Sequence, residues 1–321
     1  MTRLAVVGSL NADLTLLLDH LPGPGETVVA TSPGLVSCGG KGGNQAASAA
    51  AFGALVTMVG KVGDDQQGRQ LLADLAARGV DATRVTVVPD TRTGGATIGV
   101  AGDGENVILV DPGANGLLSP DDVEAAGLDR ANAVLVQLEV PLPTVEAAMR
   151  AAGDAIVLLN PAPAPAPANA VHETALGLAG VLVPNLAELA QLASDRRAAS
   201  GPPAAADLAE VARLARSLAG TADVVVTLSS EGALVVPRSA RTSAYIVAPT
   251  VATVDATGAG DCFCGTLAAS LAEGMDLTDA ARLSVAAAAL STTAYGARGQ
   301  LPSRRAAEGL ADQLPVRVVR G

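Results

Sequence analysis

Six short, almost unbroken apolar runs limit what this chain can fold into: LAVVG from Leu4, LVTMVG from Leu55, AVLVQL from Ala133, AIVLLN from Ala155, GVLVP from Gly180 and DVVVTL from Asp223. Runs this short, rich in β-branched residues and lacking polar alternation, suit strands covered on both faces, as in buried parallel sheets. Amphipathic or alanine-rich stretches lie between them, at residues 45–52, 68–78, 144–152 and 207–218. This alternation predicts an α/β protein with a doubly wound, mostly parallel sheet flanked by helices. A chain of 321 residues with 49% hydrophobic and 17% charged residues has the material for such a core and is not a disordered composition.

Two segments break the pattern, residues 13–32 and 93–110. In the second, GATIGVA and VILV flank DGEN, which reads as a hairpin turn whose glycine accepts positive φ. Both segments are assigned to a small β lid, leaving residues 1–12, 33–92 and 111–321 as the large domain. The run PAPAPAPANA at 161–170 is excluded from a helix interior by its alternating prolines and predicts a stiff extended loop.

A net charge of -11 disfavours nucleic acid and anionic membrane as partners, so any phosphate must be held by local geometry. Cys38, Cys262 and Cys264 support neither a disulfide framework nor a thiolate metal site and read as reduced thiols of a cytoplasmic protein. The opening MTRLAVVGSLNAD turns polar after about five apolar residues, too few for a signal-peptide core or a membrane span. With only His20 and His172 present, histidine metal sites and triads have little to draw on.

The glycine-rich stretches carry the chemistry. Lys41 is followed by Gly42 and Lys61 by Val62, so there is no G-x-x-x-x-G-K-[ST] loop, and the first strand-helix junction, VVGSLNADL, has a single glycine where G-x-G-x-x-G would be needed. What remains is VDATGAGDC at 254–262, poised to open a long helix through about Leu271. Unpaired N-H groups and the aligned peptide dipoles favour an anion at such a start, and Gly258, Ala259 and Gly260 let one approach closely. Asp261 beside this hole could accept the proton of a hydroxyl attacking phosphorus, or could merely cap the helix; the local pattern permits both. Asn11, Asp13, Lys41, Asn44 and Glu139 sit near predicted strand ends and offer directional donors and acceptors for a polyhydroxylated ligand. Asn185 and Glu188 in VPNLAEL, and Thr227, Ser229 and Gly232 in TLSSEGA, are placed at strand-to-helix turns that suit nucleotide phosphates; a helix cap at Asn185 and a hairpin turn over Ser230, Glu231 and Gly232 fit equally well.

Taken in order, GSLNADL, PGETV, CGGKGGNQAA, the GEN and GAN elements between Gly104 and Asn115, LNPAPA, PNLAE, TLSSEGA and DATGAGD make the chain resemble the ribokinase-like (PfkB) carbohydrate kinases over nearly its whole length. The resemblance implies transfer of a phosphoryl group from ATP to the 5-hydroxyl of ribose, with Asp261 as base and residues 258–260 as anion hole. Asn11, Asp13, Gly39, Gly40, Lys41, Gly42, Gly43, Asn44 and Glu139 would hold the sugar. ATP would lie along Asn185, Thr227, Ser229, Ser230, Glu231 and Gly232, reaching Gly260 and Asp261, with Mg2+ on its phosphates and Glu188 organising that metal through water. A monovalent cation, usually potassium, would be held by Asp255 and Thr257 and around Ser291, Ala294, Gly296 and Gln300. A homodimer joined through the lid is also implied. Ala256, Val285 and Gln300 depart from the family pattern, and other acceptors such as 2-deoxyribose or a nucleoside, or a noncatalytic sugar-binding regulator, remain as alternatives.

Overall fold

The computed structural model describes residues 2–163, 173–194, 203–220 and 222–320. Its strands are β1 (Arg3–Val7), β2 (Asn11–Leu18), β3 (Leu35–Gly39), β4 (Leu55–Gly63), β5 (Asp81–Val88), β6 (Gly94–Ala101), β7 (Asn106–Asp111), β8 (Ala133–Val136), β9 (Ile156–Leu159), β10 (Val181–Leu182), β11 (Asp223–Thr227), β12 (Gly232–Val236), β13 (Thr242–Val247) and β14 (Val316–Arg320). One sheet runs β14-β13-β12-β11-β10-β9-β8-β1-β4-β5, parallel from β11 to β5, with β12, β13 and β14 added antiparallel at one end.

The alternating side chains of each strand serve two apolar layers. Leu4, Val6, Ala133 and Leu135 pack with Ala46, Phe52 and Leu267 on one face. Ala5, Val7, Val134 and Val136 pack with Val145, Leu189 and Val211 on the other. Coverage on both faces is what the unbroken apolar runs predict. Phe52 is fully buried, and truncating a side chain like this costs roughly 3–5 kcal/mol, which is the scale on which the first layer holds the Lys41–Ala51 helix to the sheet. Cys262 and Cys264 are buried there as well, and burial pushes the Cys262 thiol up to about 11, so these are neutral core residues. No helix among the described residues is long and apolar enough to cross a membrane.

A second, four-stranded sheet runs β3-β2-β6-β7, with β2 parallel to β6 and the outer pairs antiparallel. The GATIGVA and VILV stretches form its β6-β7 hairpin, and Gly104 takes φ +90° in the turn. Two boundaries differ from the sequence expectation. Residues 35–39, assigned above to the large domain, form the outer strand β3, because Leu35 to Gly39 pair with Thr15 to Asn11. Asn11 itself begins β2 instead of closing a strand of the large sheet.

The GGKGGN stretch, which precedes the helical segment expected at 45–52, is largely helical. The Lys41–Ala51 helix starts at Lys41, with Gly40 before it at φ +82°. A Cβ on Gly40 would stand 2.7 Å from Asn11 N, and one on Gly42 2.6 Å from Ser9 N. These glycines therefore let the first helical turn press directly onto the backbone leaving β1. In TLSSEGA the strand-to-helix expectation gives way to a β-hairpin: β11 and β12 pair antiparallel, and a single 3-10 turn at Ser229–Glu231 joins them. Of the alternating proline run, residues 164–170 lie outside the described residues.

Candidate active site

The strand order reverses around β1, which lies between β4 and β8, and the crevice beyond the carboxyl ends of such strands is where open α/β sheets bind ligands. Ser9, Gln137, Glu139, Asn160, Asn185 and Thr227 all lie at or just beyond the carboxyl ends of β1, β8, β9, β10 and β11. The Lys41–Ala51 helix and the Ala259–Ala272 helix both aim their amino termini at this edge.

Asp261 lies in the first turn of the Ala259–Ala272 helix and is buried. It does not act as that helix's cap: the residue before the helix is Gly258, at φ +75°. Its carboxylate instead accepts one hydrogen bond on each oxygen, from Asn44 Nδ2 at 2.9 Å and from Gln45 Nε2 at 2.9 Å. Gln45 also donates to Asn160 Oδ1 at 3.0 Å and accepts from Gln137 Nε2 at 2.6 Å, while Asn160 donates to the carbonyl of Val183. A buried carboxylate held by neutral amides keeps its orientation without a cation touching it.

Glu139 crosses from β8 to the start of the Lys41–Ala51 helix. It accepts from the Lys41 backbone N-H at 3.0 Å and from the Ser9 hydroxyl, whose Oγ in turn accepts from Gly42 N. Asn11 Oδ1 accepts from Asn115 Nδ2 at 2.7 Å, and Asn115 also bonds both backbone groups of Leu10. Asp13 shares a face of β2 with Asn11 and lies against Gly39, where any Cβ would collide with its carboxylate. Its Oδ1 is enclosed with no hydrogen-bond partner. Burial first, then the charge of Glu139, pushes the Asp13 carboxyl up to about 6, with a backbone hydrogen bond from Ala96 and then Arg298 pulling the other way. An enclosed, unsatisfied acceptor of this kind is costly unless a ligand hydroxyl completes it.

A cavity of about 140 Å³ connects this cluster to the β10 and β11 ends; Lys41, Asn185, Glu188, Thr227, Gly258, Gly260 and Asp261 line it. Burial depresses the Lys41 ammonium, but Asp261, Glu139 and Glu188 outweigh it, and the net shift is upward, so Lys41 stays charged. Asn185 and Glu188 form a reciprocal cap on the Leu186–Ser194 helix, at 2.8 and 2.9 Å, so the capping reading and the cavity-lining position hold together. Burial raises the Glu188 carboxyl. Ser229, at φ 52°, with Ser230 and Glu231, forms the exposed tip of the β11-β12 hairpin.

Asp255 ties two loops together. Its Oδ1 accepts from Thr257 N at 2.9 Å and Thr257 Oγ1 at 2.6 Å, and its Oδ2 from Gly296 N at 2.8 Å. Burial would raise this carboxyl, but those hydrogen bonds prevail and lower it. Ser291 ends the Leu277–Ser291 helix with its hydroxyl on the carbonyl of Ala288, Ala294 follows in the same loop as Gly296, and Gln300 is exposed beyond it. Val285 is buried in the apolar layer, and Ala256 is exposed.

Order, spacing and geometry now meet the comparison with known proteins: the model of the pfkB family of carbohydrate kinases matches residues 1–304. The chain belongs to that family. It is 36% identical over 317 residues to the ribokinase of Bacillus subtilis (strain 168), covering 97% of this chain and 99% of that protein. It is 35% identical over 306 residues to the deoxyribokinase of Salmonella typhi, covering 94% and 95%. The ribokinase of Arabidopsis thaliana, solved with ribose and ATP, superimposes with a TM-score of 0.85 at 29% identity, over 97% of this chain and 99% of that one.

Several residues of this pfkB kinase carry site geometry that the sequence did not single out. Gln45, Asn115 and Asn160 stand inside the quoted motifs GGNQAA, GAN and LNPAPA, yet their roles depend on partners 104 to 216 residues away in the chain. Ser9 likewise follows β1 in GSLNADL. Arg298 has no local signal at all: its buried guanidinium reaches Asn44, Asp74 and Gly39.

Proposed function

We propose that this protein transfers the γ-phosphoryl group of ATP to the 5-hydroxyl of D-ribose, giving ADP and ribose 5-phosphate. The observation that carries the reading is the buried Asp261 carboxylate, held at both oxygens beside a glycine-lined helix start, at the mouth of a cavity that also holds Lys41 and the nucleotide-side residues. Near-full-length relatedness to a ribokinase of known name supports the substrate.

On this reading Asp261 accepts the proton of the sugar hydroxyl as its oxygen bonds to the γ-phosphorus and the bond to the bridging oxygen of ADP breaks. The N-H groups of Gly258 and Gly260 and the Lys41 ammonium face the charge on the transferring group, whereas Ala259 N, implied as a third donor, is given to the carbonyl of Ala256 at 3.2 Å. Asn11 and Asp13, with Glu139 and the Lys41–Asn44 turn, hold the sugar hydroxyls, and the unsatisfied Asp13 Oδ1 is the acceptor a hydroxyl would complete. The hydroxyl and backbone groups of Asn185, Thr227 and the Ser229–Gly232 hairpin hold the nucleotide. Mg2+, when bound, offsets phosphate charge, and Glu188 is the carboxylate placed to hold its waters. The oxygen-only donors of Asp255, Thr257 and the loop through Gly296 fit a hard monovalent cation such as potassium, which would organise the 254–260 loop.

The Salmonella typhi relative favours 2-deoxyribose as a second acceptor to test. A nucleoside fits poorly: the four aromatic residues are Phe52, Phe263 and Tyr245, all buried, and Tyr295, exposed in the loop next to Gly296, so little is left to stack a base. ADP release measured over ribose, 2-deoxyribose, hexoses and nucleosides, with Mg2+ and with or without K+, tests the reading. Ribose should give the highest kcat/KM, and tight ribose binding with no turnover on any acceptor would favour a noncatalytic regulator.

The small sheet acts as a lid over the sugar, excluding water that would compete for the phosphoryl group. Its two edge strands support pairing with a second copy: Leu35 and Val36 of β3 and Ile108, Leu109 and Val110 of β7 are all more than half exposed. An apolar edge of this kind is ordinarily covered. The double change Ile108→Asp and Leu109→Asp should convert a dimer to a monomer in analytical ultracentrifugation; a wild-type protein that is already monomeric at micromolar concentration would contradict the dimer.

A further inference from the structure

Arg298 is buried, and each of its three guanidinium nitrogens has a different partner. Nε donates to Asn44 Oδ1 at 2.8 Å, Nη1 to Asp74 Oδ2 at 2.6 Å and Nη2 to the carbonyl of Gly39 at 2.8 Å. Gly43 leaves the passage open, since a Cβ there would collide with Nη2. Buried ion pairs are poor sources of net stability, so this arrangement calls for another explanation.

The Asn44 contact supplies one. A side-chain amide can turn over and exchange its donor and acceptor ends, whereas a guanidinium only donates. With Arg298 on Oδ1, Asn44 has its Nδ2 left to face Asp261 Oδ2. Asn160 fixes Gln45 in the same sense: its amide nitrogen donates to the Val183 carbonyl, so its Oδ1 accepts from Gln45 Nε2, the atom that also donates to Asp261 Oδ1. The other two bonds and the chain position extend the reach of Arg298. Gly39 is the last residue of β3 in the small sheet. Two residues before Arg298, Gly296 N donates to Asp255, and Ala297 lies against Gly258, where a Cβ would stand 2.6 Å from its own.

We propose that Arg298 is a positioning residue for phosphoryl transfer: it locks the Asn44 amide so that it donates to Asp261, and it ties the root of the small sheet to the loop that carries Asp255 and the 258–260 helix start. The inference rests on Asp261 being the base. Arg298 touches no reacting atom and acts through Asn44 and the two loops.

The test is a double-mutant cycle in ribose-dependent ADP release. Arg298→Lys keeps the charge and can still pair with Asp74, but cannot hold three fixed directions. It should lower kcat at least tenfold while the KM for ATP changes less than threefold, and in an Asn44→Ala background the same change should cost less than threefold. Wild-type kcat in folded Arg298→Lys, or a tenfold loss repeated in the Asn44→Ala background, would overturn the proposal. If Arg298→Lys is insoluble, Asp74→Asn loosens the guanidinium from its far side and should lower kcat about threefold; an unchanged kcat there counts against the inference equally. Wild-type enzyme in the same assay separates the two claims, because absence of its turnover defeats the kinase reading itself.

Discussion

Asp261→Asn is expected to lower kcat by about 100- to 10,000-fold, the range over which a positioned base contributes, while ribose and ATP still bind. The substitution keeps the shape and removes what the proposed mechanism takes as the acceptor for the proton. It also sets an amide against two amide donors, Asn44 Nδ2 and Gln45 Nε2. Asn44 cannot turn over without presenting its own donor to Arg298, and Gln45 cannot without setting its oxygen against Asn160 Oδ1, whose amide nitrogen donates to Val183, so one hydrogen bond is lost, at about 1 kcal/mol. That cost falls on stability and is small beside the kinetic loss. Steady-state ADP release with calorimetric ribose binding separates them: activity within tenfold of wild type would remove Asp261 from the role of base, and loss of ribose binding would make it a sugar-holding residue instead.

Gly258→Ala is the second large effect. Gly258 stands at φ +75°, in the left-handed region, and an added Cβ would lie 2.6 Å from Ala297 Cβ and 2.7 Å from its Cα. Strain at such a position costs of order 1–3 kcal/mol, and here the loop also has a backbone neighbour it must push away. Moving the loop withdraws N-H groups from the transferring phosphoryl, and loss of one such donor lowers a rate by about 100-fold or more. Gly260 is the internal comparison, because a Cβ there meets nothing within 4 Å and its φ is not positive. Gly258→Ala should therefore lose about 100-fold in kcat together with several degrees of thermal stability, whereas Gly260→Ala should leave stability near wild type. Equal thermal stability of the two variants would show that the predicted clash is absent.

Six strands of the large sheet were legible because parallel strands covered on both faces must be apolar throughout, and each of the six runs became one; the edge strand β5 and the antiparallel β12, β13 and β14 lie outside those runs. Residues 35–39 were not legible, since LVSCG has neither length nor alternation and becomes a strand only through its partner β2. The helix was expected only from residue 45 because propensity penalises the glycines at 42 and 43; close packing on residues 8–11 and the passage of Arg298 override that penalty. Asp13, Lys41, Asn44, Glu139, Asn185, Thr227 and Asp261 could be listed from motifs and predicted strand ends, and the fold brings them to one edge of the sheet. What motifs could not supply was the set of side chains that orient those residues. Gln45, Asn115 and Asn160 sat unremarked inside quoted stretches, and Arg298 contacts Asn44 across 254 residues of chain, a separation at which no local periodicity operates.

The product formed from ribose is the decisive observable. Enzyme incubated with ATP, Mg2+, K+ and D-ribose, followed by 31P NMR and mass spectrometry, should yield one equivalent of ADP for each ribose 5-phosphate, and Asp261→Asn should form both at least about 100-fold more slowly. Phosphorylation at another position, release of inorganic phosphate instead of a sugar phosphate, or no reaction despite ribose binding would contradict it.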